Sequence, residues 1–185
     1  RLKQFIIIIA VFIFILFGIP LTVYLYFTSV LPSVNSLQEY NPNTITKVYS
    51  YDGQVIGEFF IERRIVIPIS KMPLHLVKAF IAAEDDTFYQ HKGIDYLSVM
   101  RAFYKNISAG KIVQGGSTIT QQVAKSFFLT PEKSISRKVK EALLAHRIEK
   151  SLSKEDILHL YLNQIYLGNG AYGVQAASEV YFGKD

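Results

Sequence analysis

The chain has no cysteine among its 185 residues. That excludes a disulfide framework, a thiolate metal site and a cysteine nucleophile. Its histidines, His75, His91, His146 and His159, are scattered. No H-E-x-x-H pattern joins them, which argues against a zinc site. There is no internal repeat and no low-complexity tract. Charge is also missing from one long stretch, residues 5–27 (FIIIIAVFIFILFGIPLTVYLYF).

Roughly 20 apolar residues span a bilayer as a helix, and this run is long enough. So long an uncharged run is hard to bury in a small domain. It also exceeds an ordinary signal-peptide core, and no A-x-A-like site follows it. The reading is an uncleaved signal anchor over residues 1–30, kinked at Pro20, with Tyr24 and Tyr26 suited to a membrane interface. Arg1 and Lys3 precede the run and no charge follows until Glu39. The positive-inside rule then puts the N-terminus in the cytoplasm and the rest outside. The first residue is not Met, so part of the N-terminus is expected to be missing. The net charge is +5, a balance that favours anionic lipids, phosphates or nucleic acid. An outward-facing anchor argues against nucleic acid.

Residues 31–43 (LPSVNSLQEYNPN) read as a linker. Asp52-Gly53 sits between short β-branched and aromatic runs, which predicts a hairpin. The expected organisation is an anchor (1–30), a linker and hairpin (31–70) and a mainly α catalytic part (71–185). Thr130 and Pro131 predict the start of one helix. Ser153 and Asp156 predict a capping box for the next, which should stop near Gly168.

Two motif matches fail on context. GNGAYG (168–173) fits G-x-G-x-x-G, but a helix precedes it where a dinucleotide fold needs a strand. Its expected role is a glycine-rich helix stop beside a functional cleft. The S-x-x-K matches at Ser108 and Ser151 lack a K-T-G partner and are read as chance.

Three stretches carry chemistry. On the helix from Ser134, a 100° period places Ile135, Val139, Ala142, Leu143 and His146 on one side. Lys133, Arg137, Lys140, Glu141 and Arg147 fall on the other. Four cations around one carboxylate read either as a wet basic face or as a pyrophosphate-binding face. In GGSTITQQVAKS (115–126), Gly115 and Gly116 allow close backbone approach. Ser117, Thr118, Thr120, Gln121 and Gln122 supply neutral donors and acceptors, and Lys125 a cation. Such a mixture suits amido sugars, or equally a Ser/Thr-rich helix cap. Finally, EDDTFYQHKG (84–93) puts Glu84, Asp85 and Asp86 at the end of an expected helix, where the macrodipole disfavours anions.

In order and spacing, EDDTFYQHKG, GGSTITQQVAKS, RKVKE and KEDILHLYLNQIYLGNGAYGVQAASEVYFGK resemble the peptidoglycan glycosyltransferase domain. That domain occurs in class A penicillin-binding proteins and monofunctional transglycosylases. The resemblance implies a lysozyme-like, mainly α fold with a smaller membrane-dipping lobe, in a bacterial cytoplasmic-membrane protein that crosses once. It implies polymerisation of lipid II with inversion, releasing undecaprenyl pyrophosphate. The partners implied are lipid II, the growing glycan strand, membrane lipid and other cell-wall synthesis proteins.

By that motif Glu84 is the general base for the acceptor hydroxyl. A carboxylate suits this role, and a misplaced charge is how a catalytic site violates a local rule. Asp85 is implied to shape the site, with Phe88 and His91 holding the segment. Lys125, Lys133, Arg137 and Lys140 are implied on the leaving group, and Ser117, Thr118, Gln121 and Gln122 along the sugar and phosphate cleft. Glu141, the second glutamate, is implied to order the cations or to help hold Mg²⁺ or another divalent ion. Three departures stand out. Ser126 replaces the usual Asn, Lys133 stands where many members carry Arg, and the chain stops at YFGKD, as a truncated piece would. The competing readings are a glycan-cleaving enzyme of the same fold and a non-catalytic lipid II-binding module.

Overall fold

The computed structural model describes residues 2–42, 44–132 and 134–184. The expected leaving-group residue Lys133 lies outside them. Helices dominate. A continuous helix covers Leu2–Val30, is apolar enough to cross a membrane and has none of its apolar window buried. It consists of α1 (Leu2–Ile13), a π-helical turn (Phe14–Gly18) and α2 (Ile19–Val30). The wide turn falls where Pro20 withholds an amide and crowds the carbonyl of Leu16.

The Pro-containing stretch after α2 packs down rather than standing free. Leu31, Val34 and Leu37 are buried in the main core, and the Tyr40 ring meets Phe127 and His159 edge-on. Then β1 (Thr46–Tyr49) and β2 (Val55–Phe59) pair antiparallel, with Lys47 opposite Glu58. Gly53 turns the hairpin with φ +81°, as its Asp-Gly pair predicts. A second small sheet joins β3 (Arg63–Arg64) in parallel to β4 (Ala171–Tyr172).

Six helices follow: α3 (Leu74–Glu84), α4 (Tyr96–Ala109), α5 (Ile119–Phe128), α6 (Ile135–Ser151), α7 (Lys154–Gln164) and α8 (Val174–Phe182). The core lies where α5, α6 and α7 meet. Ile119 and Val123 of α5 face Leu144 and Ile148 of α6 and Ile157, Leu158 and Leu162 of α7, all at most 1% exposed. Each such side chain contributes about 1.5–3 kcal/mol on burial. This mainly helical architecture with its apolar leader and small antiparallel sheet is consistent with a lysozyme-like lobe.

One buried polar side chain and one close backbone approach close the fold around this core. Asn163, wholly buried, accepts from the Ile67 amide (3.0 Å) and donates to the Ile67 and His159 carbonyls (3.0 and 2.8 Å). Its side chain thereby acts as a strand neighbour for Ile67. Gly173 passes so close that a Cβ there would lie 2.8 Å from the Asn163 carbonyl oxygen.

Local signals differ from expectation in three places. The capping box of α7 forms between Ser153 and Asp156, but the helix ends at Gln164, short of Gly168. The cap of α6 is Ser134, whose hydroxyl accepts the Arg137 amide at 3.1 Å, and not Thr130. Ser134 stands at the N-cap position, three residues before that free N–H, as capping requires. The buried stripe of α6 is also rotated from the expected one. Glu141, Leu144, Ala145 and Ile148 face inward while Ile135 is 86% exposed. Packing against α5 and α7, rather than hydrophobicity alone, selects the inner face.

Candidate active site

Glu84 is the last residue of α3 and is exposed. Its Oε2 accepts one hydrogen bond, from the Gln122 amide at 2.8 Å. One carboxylate of the acidic row at this helix end is offset by α5. Asp85 turns into the interior and accepts the amide of Ile119, the first residue of α5, at 3.0 Å. An anion disfavoured at one helix C-terminus is thus favoured at another helix N-terminus. His91 Nε2 donates to both Asp85 oxygens at 2.9 and 3.0 Å, while its Nδ1 accepts the Gly93 amide.

The loop after Glu84 is fastened from behind. Phe88 is fully buried and packs the loop from within. Lys154 Nζ stands 4.3 Å over its ring, donates to the His91 carbonyl at 2.9 Å and pairs with Glu149 at 2.7 Å. Thr120 donates to the same Glu149 oxygen at 2.6 Å. Asp95 accepts from the Thr87 and Ser98 hydroxyls, both at 2.6 Å, and from the Ser98 amide. The Ser98 hydroxyl first, then that of Thr87, holds the Asp95 carboxyl well below the usual carboxylate range.

A cleft of about 440 Å³ opens at Glu84, with Asp86, Ser98, Arg101, Gly115, Gly116 and Ser117 among its lining. Asn106 shapes the glycine-rich wall. It accepts the Val113 and Gln114 amides at 2.8 and 3.0 Å and donates to the Gln114 carbonyl. Gly116 then presses on α4, where a Cβ would come 3.1 Å from the Val99 Cα. Thr118 and Gln121 form a capping box at the start of α5. The Gln121 oxygen is taken by the Thr118 amide at 2.9 Å, while Ser117 and Gln122 of the same motif line the cleft.

Beyond Gln122 lies a second groove of about 390 Å³, lined by Glu62, Lys125, Tyr161, Gln164, Tyr166 and Tyr172. Gln122 lines both clefts. The Tyr161 hydroxyl is buried without a hydrogen-bond partner among the described residues. Burial, and then the charge of Glu84, push its phenol up, so it stays protonated.

The cationic cluster centres on a buried carboxylate. Glu141, 1% exposed, has Arg137 Nε at 3.0 Å and Lys138 Nζ at 2.5 Å. Arg137 Nη1 also donates to the Pro131 carbonyl at 3.0 Å. Lys138 reaches Ser117 Oγ at 3.1 Å and so joins the cluster to the first cleft. Lys140 has no ion-pair partner among the described residues, and Lys125 stands apart in the second groove. No three His, Asp or Glu side chains converge as a metal site among the described residues. With two cations already on Glu141, its donor set does not fit a divalent ion held there.

Sequence reasoning missed Lys138, Tyr161 and Arg101. Lys138 sits inside the quoted RKVKE and is three residues before Glu141, a spacing that brings side chains together on a helix. Tyr161 sits inside HLYLNQ. Nothing in the sequence pattern marked Arg101.

Fold and site together define a mainly helical domain behind an apolar helix, with an open carboxylate in a polar cleft, a second groove that shares Gln122 with it, and a cationic cluster beside them. The transglycosylase family model matches residues 52–185, and the chain belongs to that family. Its relatives include penicillin-binding protein 1A of Aquifex aeolicus, 51% identical over 154 residues, which is 83% of this chain and 21% of the relative. Penicillin-binding protein 1A of Neisseria cinerea is 54% identical over 155 residues, 84% of this chain and 19% of the relative. That of Pseudomonas aeruginosa is 50% identical over 161 residues, 87% and 20% respectively. The chain therefore spans about a fifth of the length of these curated relatives.

Proposed function

We propose that the chain is a peptidoglycan glycosyltransferase that polymerises lipid II with inversion and releases undecaprenyl pyrophosphate. The observation that carries this reading is the placement of Glu84. It is an exposed carboxylate in the first cleft, bound to one neutral amide, that of Gln122, which lines both clefts; Arg101 lines the first cleft and Lys125 the second. A general base needs a free lone pair within reach of the acceptor, and no cation neutralises this one.

In the proposed step the 4-hydroxyl of the incoming N-acetylglucosamine lies against Glu84, which takes its proton. The hydroxyl oxygen forms the new bond to the anomeric carbon of the donor from the face opposite the pyrophosphate. The bond from that carbon to the pyrophosphate oxygen breaks, and its electrons leave with the anion. Lys125 in the second groove, and Lys138 with Arg137 beside Ser117, stabilise that charge. Glu141 holds Arg137 and Lys138 in place. Lys140 is proposed as an outer contact to phosphate. Asp85 and His91 act behind Glu84, as do Phe88 and the Thr118–Gln121 cap. No step is assigned to Mg²⁺.

One cleft is proposed for the acceptor and the other for the growing strand, with Gln122 between them. Helix α4 exposes Leu97, Met100, Phe103, Tyr104 and Ile107 beside Arg101 and Lys105. We assign this face to membrane lipid, next to the entering substrate. The anchor would then cross the cytoplasmic membrane with its N-terminus inside and the cleft outside, within reach of other cell-wall synthesis proteins.

The test is polymerisation of labelled lipid II in detergent, with strands read on a gel. Glu84→Gln should lower the rate by roughly 10²-fold or more while leaving the thermal midpoint unchanged, because Glu84 is exposed. Equal strand yields from parent and variant would refute Glu84 as the base.

A further inference from the structure

Resting on the proposed glycosyltransferase reading, we propose that Arg147 is a positioning residue that clips the membrane helix to α6. It would thereby set how the cleft stands over the bilayer. The last backbone bond of α2 runs from the Leu31 amide to the Phe27 carbonyl at 3.1 Å. The carbonyls after Phe27 have no further helical turn to bond them. Arg147 Nη2 donates to the first of these, Thr28, at 2.8 Å. Its Nη1 reaches toward the Leu31 and Pro32 carbonyls, both at 3.5 Å.

A cation is favoured at a helix C-terminus by the macrodipole as well as by these bonds. A planar guanidinium presents its donors in a fixed fork and can span several carbonyls at once, where a lysine offers a single point charge. The contact joins residues 119 positions apart in the chain. Directly after it, Leu31, Val34 and Leu37 enter the catalytic core. The membrane helix is thus held by a polar clip and by apolar burial, with no free tether between them.

The clip sits on the helix that carries the cationic cluster. Glu141 and Arg147 are six residues apart on α6, about 9 Å along its axis. A rigid path therefore runs from the end of the membrane helix to the carboxylate that holds Arg137 and Lys138. A substrate anchored in the same bilayer presents its pyrophosphate at a fixed height. A cleft held at the matching height meets it without a search, and small misplacements of reacting groups are costly.

The experiment uses the full chain in vesicles of phosphatidylethanolamine and phosphatidylglycerol. The absence of cysteine allows a single label at Glu155→Cys on the exposed start of α7. Time-resolved energy transfer to a headgroup-labelled lipid reads the distribution of heights, and lipid II turnover is measured in the same vesicles. The parent should give a narrow distribution. Arg147→Ala should widen it and lower kcat/KM about tenfold, and Arg147→Lys should restore both in part. Arg147→Gln keeps a long polar side chain but removes the charge and the fork, should widen the distribution as well, and covers a failure of Arg147→Ala to fold. An unchanged distribution in folded Arg147→Ala would overturn the clip, and so would widening with unchanged turnover. If the parent makes no strands, the enzyme reading fails, and the clip is then judged on the distribution alone, narrow in the parent and widened in Arg147→Ala.

Discussion

Glu141→Gln isolates what the buried carboxylate does, because the amide keeps the shape and removes the charge. Arg137 is 15% exposed and Lys138 is 52% exposed, against 1% for Glu141. Leaving a buried charge without its partner costs about 3–5 kcal/mol. The Arg137 contact deserves the lower end, since its Nε and Glu141 Oε1 lie close without an aligned hydrogen bond. The Lys138 contact is half in water, so solvent screening reduces it to about 0–1 kcal/mol. The loss is then about 3 kcal/mol, dominated by Arg137. For a chain of this size that corresponds to a fall of roughly 6–12 °C in thermal midpoint.

Thermal unfolding followed by circular dichroism measures this loss, and lipid II polymerisation below the midpoint measures the second consequence. Freed from Glu141, Lys138 and Arg137 should lose their fixed place, and the rate should fall at least about tenfold. The pair of results separates the two glutamates, because Glu84→Gln should remove activity and spare stability. A Glu141→Gln midpoint within 2 °C of the parent would refute the electrostatic account of the cluster.

Two further tests probe the frame around the site. Asn163→Ala removes three hydrogen bonds and strands the Ile67 backbone, so it should cost about 3 kcal/mol, read as a lower denaturant midpoint at unchanged slope. Asp95 has a lowered folded-state pKa, so its contribution is complete above the unfolded carboxylate value and is lost as pH falls through the folded one. Parent stability should therefore drop on acidification below about pH 4. Asp95→Asn should be less stable by about 1–3 kcal/mol at pH 7 and show a shallower acid slope. Equal acid slopes in a denaturant series at pH 7, 5, 4 and 3 would refute this role.

Much of the chain was legible from its residues alone, and the reason is locality. The apolar run became one helix because its signal is twenty-odd consecutive side chains. Asp52-Gly53 became a turn because positive φ is a property of that dipeptide. Ser153 and Asp156 capped α7 because both partners lie three residues apart. The motif order pointed to the family for the same reason, as it is written along the chain. The row Glu84-Asp85-Asp86 was visible as an anomaly at a helix end.

What resolved that anomaly was not local. Asp85 is at home because the N-terminus of α5 meets it, 34 residues on, and only folding brings a second helix dipole to the first. Glu141 was assigned to a polar face because its own helix offers two faces. Burial against α5 and α7 chose the one with the carboxylate, and so made Lys138 and Arg137 its partners. The contact of Arg147 with Thr28 is likewise invisible until α2 and α6 lie side by side. Periodicity and short-range capping are decided within a turn or a hairpin. The partner of a charge, the inner side of a helix and the height of a cleft are decided by which elements pack together.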